Sequence, residues 1–385
     1  MSRAWWLVGL LWVAFCLNYI DRQVAFSIFP ALRQEMGFTA TELGWVGTVF
    51  LWSYSLALPL AGRLADRTDK RRLIAASMLL WSVSIWGSAS ASGVASFLFW
   101  RAMMGITEAM YFPAAAGFIA SLHTGATRSR ALGLHQSAQL FGGAIGGWYG
   151  GWSADGPGWR TGFTTLAVAG ILYAFVLGFV LPKTERTERE PGTEGTTMWT
   201  PAFCWLVAAF FGYCGVLWML YAWLPNHLGE RFGLSMTEAG WRGTVFLQGS
   251  SFAGILIGGF WGDRTGRRLE LAALGMLLSP VFGYFVFAAP AIEGSIAAAM
   301  GFGLGAGLVM SNLFAAAFAL VGPGRHGWAA GLLNMAGGIS GGVGMLLAGY
   351  SKDSAGYVGL LTLVAAAGLL IQARRLPGVA APSRS

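Results

Sequence analysis

Charge is what this sequence has least of. Of its 385 residues only 11% are Asp, Glu, Lys or Arg, less than half of the roughly 25% carried by a soluble globular domain. So little polar surface cannot cover a chain of this length in water. That excludes a soluble enzyme, a nucleic-acid-binding module and a disordered polypeptide. Cysteine is scarce too. Cys16, Cys204 and Cys214 each lie inside an apolar run, so neither a disulfide framework nor a zinc site is implied. There is no cofactor motif, no cluster of metal ligands and no nucleophile with its base, so no cofactor is expected. The apolar stretch Trp5 to Ile20 lacks a small-residue cleavage site after it, and Asp21-Arg22 leads on into more apolar sequence. It reads as an uncleaved first span.

What is present is apolar sequence, with 55% hydrophobic residues and a mean hydropathy of +0.58. A bilayer span takes about 20 apolar residues and, with a short loop, about 30. The chain therefore holds about twelve spans and no separate soluble domain. They are placed at 4–30, 42–63, 73–91, 95–122, 130–153, 160–181, 200–228, 238–261, 269–289, 293–321, 328–350 and 355–373. The apolar runs are continuous rather than alternating, which predicts helices and not a β-barrel. The fold class is an all-α membrane protein.

The basic residues are unevenly placed. The N-terminus, the even-numbered connections and the C-terminal tail hold 18 of the 25 Lys and Arg residues. Only Arg33, Arg160, Arg231, Arg242 and Lys352 fall on the other side. The positive-inside rule then predicts both termini in the cytoplasm. This bias explains a pI of 9.7 without nucleic acid. Trp5, Trp6, Trp159, Trp199 and Trp328 near span ends fit an interfacial belt at the lipid surface.

The chain repeats itself. TELGWVGTVFL at 41–51 returns as TEAGWRGTVFL at 237–247, identical at nine of eleven positions. Gly62-x-x-x-Asp66-Arg67-Thr68 returns as Gly259-x-x-x-Asp263-Arg264-Thr265, and WSAD ending at Asp155 is echoed by YSKD ending at Asp353. Two six-span halves are predicted, 1–182 and 199–385, joined by a polar cytoplasmic linker over 183–198. Six spans is an even number, so the halves enter the membrane alike, as parallel repeats. Such repeats place a site at their interface near the midplane and expose it to each side by rocking. The repeat argues for a transporter over an enzyme or a receptor.

GRLADRTDKRR at 62–72 and its weaker copy GFWGDRTGRR at 259–268 resemble the signature loop of the major facilitator superfamily. NYIDR at 18–22, RAMMGITEAMYFP at 101–113 and SAQ at 137–139 resemble its anion:cation symporter family, which carries sugar acids, hexuronates and other organic anions. The resemblance implies that the loop latches the halves together when the outside is open, through Gly62, Asp66 and Arg67, with Asp263 and Arg264 in the second copy. Phe260 replaces the basic residue of the first copy at Arg63, which predicts a weaker second latch. Arg71 and Arg72 also read as topology-setting charges.

Four charges lie within spans: Asp21, Arg22, Arg101 and Glu108. Each costs roughly 3 kcal/mol at a helix centre, on the order of 10 kcal/mol together. All belong to the first half. In one reading they stitch helices, with Arg101 paired to Glu108, seven residues on along the same face. In the other, Arg22 grips an anionic substrate through its planar guanidinium, and Asp21 or Glu108 takes a proton that restores neutrality when the anion enters. Arg101 is read as structural. The resemblance assigns Arg22 to substrate binding and Asp21 and Glu108 to proton coupling, and it matches Tyr54 and Gln139 to substrate contacts. Tyr19 shares a helical face with Arg22. Gln136 aligns with Asn334 under the repeat, placing one amide from each half opposite the other. His135 is read as a helix-contact residue. The glycine pairs at 142–143, 146–147 and 150–151 form a close-packing stripe.

The expected function is proton-coupled symport of a small organic anion, a monocarboxylate such as a sugar acid, by a monomer in a cell membrane, the bacterial inner membrane. The seventh span has no second arginine, which argues against organophosphate exchange. A proton-coupled drug antiporter is the alternative, although the fifth span lacks the Gly-Pro pair of that group.

Overall fold

The computed structural model describes residues 3–184, 199–321, 325–350, 363 and 366–371. Its described residues form thirteen helices in chain order: α1 (Arg3–Ser27), α2 (Phe29–Met36), α3 (Ala40–Arg67), α4 (Lys70–Ala89), α5 (Val94–Glu108), α6 (Tyr111–Leu122), α7 (Gly125–Asp155), α8 (Trp159–Val180), α9 (Pro201–Phe232), α10 (Met236–Thr265), α11 (Arg268–Ala288), α12 (Ile292–Val321) and α13 (His326–Tyr350). Nine of them are long and apolar enough to cross a membrane. Helices are the expected solution, since they satisfy backbone polar groups within one segment. Most of the twelfth expected span, and linker residues 185–198, lie outside the described residues.

Two expected spans are each divided. The first breaks at Ile28, two residues before Pro30, and continues as α2 to Met36. The fourth breaks at Ala109–Met110, shortly before Pro113, giving α5 and α6. Proline lacks the N–H for the preceding turn and crowds its carbonyl, which accounts for both positions. Glu108 is thereby the last residue of α5.

The apolar core forms two clusters. One is built almost wholly from α1–α8, the other from α9–α13 with Ala366 and Leu369. They meet along two interfaces, α7 against α10 and α3 against α13, related by the internal repeat. Thr48 of α3 donates to the Gly342 carbonyl at 2.7 Å, and Thr244 of α10 donates to the Ala144 carbonyl at 3.2 Å. Those four residues are repeat equivalents. Gly147 lies so close to α10 that a Cβ there would sit 2.6 Å from the Gly240 carbonyl oxygen, and one on Gly44 would sit 2.9 Å from that of Met345. These contacts all lie towards one end. Further along the same helices, at Gly133 and Gly331, a Cβ would meet nothing within 4 Å. The halves touch at the end opposite the basic loops and part at the end that carries them.

Candidate functional site

Arg22 sits on α1, 6% exposed at the middle of the bundle. Its Nε donates to Glu108 Oε2 at 2.7 Å. Among the described residues Glu108 is its one hydrogen-bond partner, so this bond leaves both Nη groups free of protein acceptors. The guanidinium lies over the rings of Tyr19 and Tyr54 at 4.7 Å each and of Phe50 at 5.0 Å. Three aromatic faces attract the cation and exclude water around it. Tyr19 lies one turn before Arg22 on α1, while Phe50 and Tyr54 lie one turn apart on α3. The helical period thus builds the cage from two elements.

Of the two readings of the intramembrane charges, the one that stitches helices by pairing Arg101 with Glu108 is not the one formed. The break in the fourth span ends α5 at Glu108, and the carboxylate reaches α1 and Arg22 instead. Arg101 is fully buried, with Nε 3.5 Å from the Val46 carbonyl, Nη1 3.1 Å from Met104 Sδ, and Nη2 without a hydrogen-bond partner. Its guanidinium also lies 5.0 Å from the Phe50 ring, so one ring serves two cations.

Asp21, 5% exposed, accepts from the Trp81 indole N–H at 3.2 Å through Oδ2. Its Oδ1 has no hydrogen-bond partner, and no cation stands within ion-pair distance among the described residues. Trp81 was not foreseen; a fully buried Trp in an apolar run carries no sequence mark distinguishing it from core. Phe50 was missed for the same reason. Asn18, buried at 1%, stands beside Glu108.

The amides occupy the interface walls. Gln136 lies on the α7 face that carries Gly143 and Gly147 towards α10, beyond the point where the halves part, and is exposed. Gln139 is half-buried, one turn from Gly142 and Gly143. Asn334 lies on the α13 face that carries Gly338 and Gly341 towards α3, is exposed, and donates to the Ala330 carbonyl of its own helix. Gln136 and Asn334 therefore take equivalent walls without touching. Gln23 Nε2 reaches the Tyr221 carbonyl of α9 at 3.4 Å. His135 is fully buried in a stack, 4.5 Å from the Phe15 ring and 3.2 Å from the Tyr111 hydroxyl. That hydroxyl already donates to the Leu11 carbonyl at 2.7 Å, so His135 Nε2 carries the proton of this contact and the ring is fixed as a packing element.

At the basic end the signature loop is disengaged. Asp66 and Arg67 are exposed, Gly62 has no neighbour near its Cβ position, and Arg264 is exposed. Asp263 pairs with Arg268 inside its own half. Asp69 rather than Asp66 organises the start of α4, accepting from the Arg71 and Thr184 backbones at 3.1 and 3.2 Å, while Arg71 Nε lies 3.7 Å from it.

The family model described as Major Facilitator Superfamily matches residues 11–237 and 206–379. The chain is 26% identical to "Probable sulfoacetate transporter SauU" of Cupriavidus necator, over 94% of this chain and 90% of that protein. It is 25% identical to the D-galactonate transporter of Escherichia coli O6:H1, over 96% and 94%. A bacterial homologue of the human lysosomal transporter Spinster, solved in an inward-facing and occupied conformation, superposes with a TM-score of 0.86 at 18% identity, covering 98% of both chains.

Proposed function

The chain belongs to the Major Facilitator Superfamily, and we propose that it carries a small organic anion, a monocarboxylate of the sugar-acid class, by proton-coupled symport with alternating access. It is a multi-pass membrane transporter and not an enzyme. The observation that carries the proposal is the buried Arg22–Glu108 bond at 2.7 Å. A guanidinium binds carboxylates bidentately and stays protonated. Here one edge is held by an internal carboxylate and the rest is caged by Tyr19, Tyr54 and Phe50.

An entering carboxylate competes with Glu108 for the same cation. With both ionised beside Asp21, three anions face Arg22 and Arg101, and the site is left net negative. A proton on Glu108 removes the competitor and frees Arg22 for the substrate, so proton and anion bind together. Asp21 is the second proton position. Among the described residues its one donor is the neutral Trp81 and no cation pairs with it, so protonation removes an unpaired buried charge. Gln139, Gln136 and Asn334 supply amides for substrate hydroxyls. The halves part at the basic end, and the charge bias of that end supports reading the arrangement as inward-open, with the Asp66 latch released. A sulfoacetate and a galactonate carrier among the relatives support an acid as cargo.

Proteoliposome uptake tests this. With the outside acidic, the protein is expected to accumulate a labelled sugar acid and to raise the external pH as it does so, with no response to a neutral hexose. Drug efflux without anion-dependent alkalinisation would establish the antiporter instead.

A further inference from the structure

At the closed end of the bundle a carboxylate of one half reaches the start of a helix in the other. Asp155, the last residue of α7, reaches across to the other half. Its Oδ1 accepts from the Met236 N–H at 3.2 Å, and its Oδ2 accepts from the Thr237 N–H and the Thr237 hydroxyl, each at 2.7 Å. These are the first two residues of α10, a 30-residue helix whose opening N–H groups have no partner within the helix. The carboxylate also meets the positive end of the helix dipole.

Among the described residues, the equivalent start in the first half is capped locally. Thr39 caps α3 in a full capping box, with the Thr39 N–H donating to Glu42 at 2.8 Å. The repeat supplies Ser235 and Glu238 at the same places in α10, and the Ser235 hydroxyl does accept from the Glu238 N–H at 3.2 Å. Glu238, however, does not turn back. It pairs with Arg242 at 2.5 Å, four residues on. Arg242 is one of the two positions at which TEAGWRGTVFL departs from TELGWVGTVFL, where the first half has Val46. A Glu238 carboxylate folded onto the helix start would place two like charges at one N-terminus. Arg242 draws it along the helix and neutralises it, leaving the start to Asp155.

We propose that Asp155, capping α10 from the opposite half, is the bolt of the outer gate, and that the Glu238–Arg242 pair keeps its seat vacant. Opening that end must strip the Met236 and Thr237 N–H groups of their acceptor, leaving only the local Ser235 cap. The closed outer end is thereby favoured until the binding energy of substrate and proton, or the closing of the basic end, offsets the loss. Arg33 and Glu230 also join the halves there at 2.7 Å, but both are exposed, and an exposed pair contributes little.

The test reads conformation directly and needs no substrate, so it stands or falls apart from the transport proposal. Spin labels on Gln34→Cys and Arg231→Cys, both exposed positions at this end, are placed in full-length protein with Cys16, Cys204 and Cys214 replaced by Ser. Pulsed electron resonance then gives the distance distribution. Asp155→Ala is expected to raise the long-distance, outer-open population about fivefold, as removal of a helix cap implies. Arg242→Val, which restores the first-half residue and releases Glu238, should shift it the same way by about twofold, and Arg33→Gln by less. Unchanged distributions for Asp155→Ala in protein of native melting temperature overturn the proposal. Should that variant not fold, Asp155→Asn, which removes the charge and one acceptor at constant shape, is expected to give a smaller opening. No opening in that variant overturns the proposal equally.

Discussion

At the closed end the halves are near copies. Thr48 bonds Gly342 as Thr244 bonds Ala144, and Gly44 and Gly147 accept their partner backbones in the same way. At the centre the likeness ends. The first half buries Asp21, Arg22, Arg101 and Glu108, whereas the buried polar groups of the second, among the described residues, are uncharged, Gln248, Ser250, Ser251 and Asn312 among them. Under the proposed alternating access both interfaces open and close together, which accounts for their likeness. The charges need not be duplicated, because a second buried cluster would add on the order of 10 kcal/mol of insertion cost. One half holds the buried charges, and the other faces them with uncharged groups.

The sharpest way to break that division is Arg22→Lys. It keeps the charge but loses the planar fork and its fit to the cage, and anion uptake is expected to fall by about 100-fold or more. Uptake within a few-fold of wild type would move substrate binding out of the first half. Glu108→Gln comes next. Proton-driven accumulation should vanish while counterflow exchange persists within about tenfold of wild type, since the coupling is lost and the binding cation is kept. Accumulation that survives this change would place the proton elsewhere.

The symmetric interfaces are probed by Gly44→Val and Gly147→Val. Each side chain meets a backbone carbonyl of the other half, and overpacking of this kind costs about 1–3 kcal/mol. Both variants are expected to favour the outer-open state to a similar degree in the spin-label measurement. An effect confined to one would show that the two interfaces are not equivalent. The smallest effect concerns Glu35, which accepts from Arg160 at 2.7 Å and Trp159 at 2.5 Å. The Arg160 hydrogen bond, followed by that of Trp159, holds the Glu35 carboxyl below its ordinary value. Its contribution to stability is present above the unfolded value of about 4.3 and is lost as pH falls through the lower folded one. Glu35→Gln should therefore slightly lower the melting temperature at pH 6 and leave it unchanged at pH 3. Equal shifts at both values would remove the ionic role.

Much of this was legible in the sequence. Continuous apolar runs marked the helices, the repeated TEL/TEA segment marked the two halves, and the glycine pairs marked a close-packing face, because close approach leaves a residue-level trace. The four intramembrane charges stood out as costly. Their pairing did not. Whether Glu108 faces Arg101 or Arg22 depends on where the fourth span breaks before Pro113, and spacing along an unbroken helix left both readings open. Phe50 and Trp81 were invisible because an aromatic residue in an apolar run looks the same whether it serves a cation, a carboxylate or lipid. Asp155 was visible as a repeat mark, but its role depended on Arg242, a single departure from the repeat.

The central claim is that proton and substrate bind together at the Arg22–Glu108 pair, the proton on Glu108 and the anion on Arg22. Calorimetric titration of the purified protein with a bound sugar acid, in buffers of differing ionisation enthalpy, counts the protons taken up on binding. About one proton per anion is expected in the wild type and none in Glu108→Gln. Binding by the wild type with no buffer dependence would contradict the account.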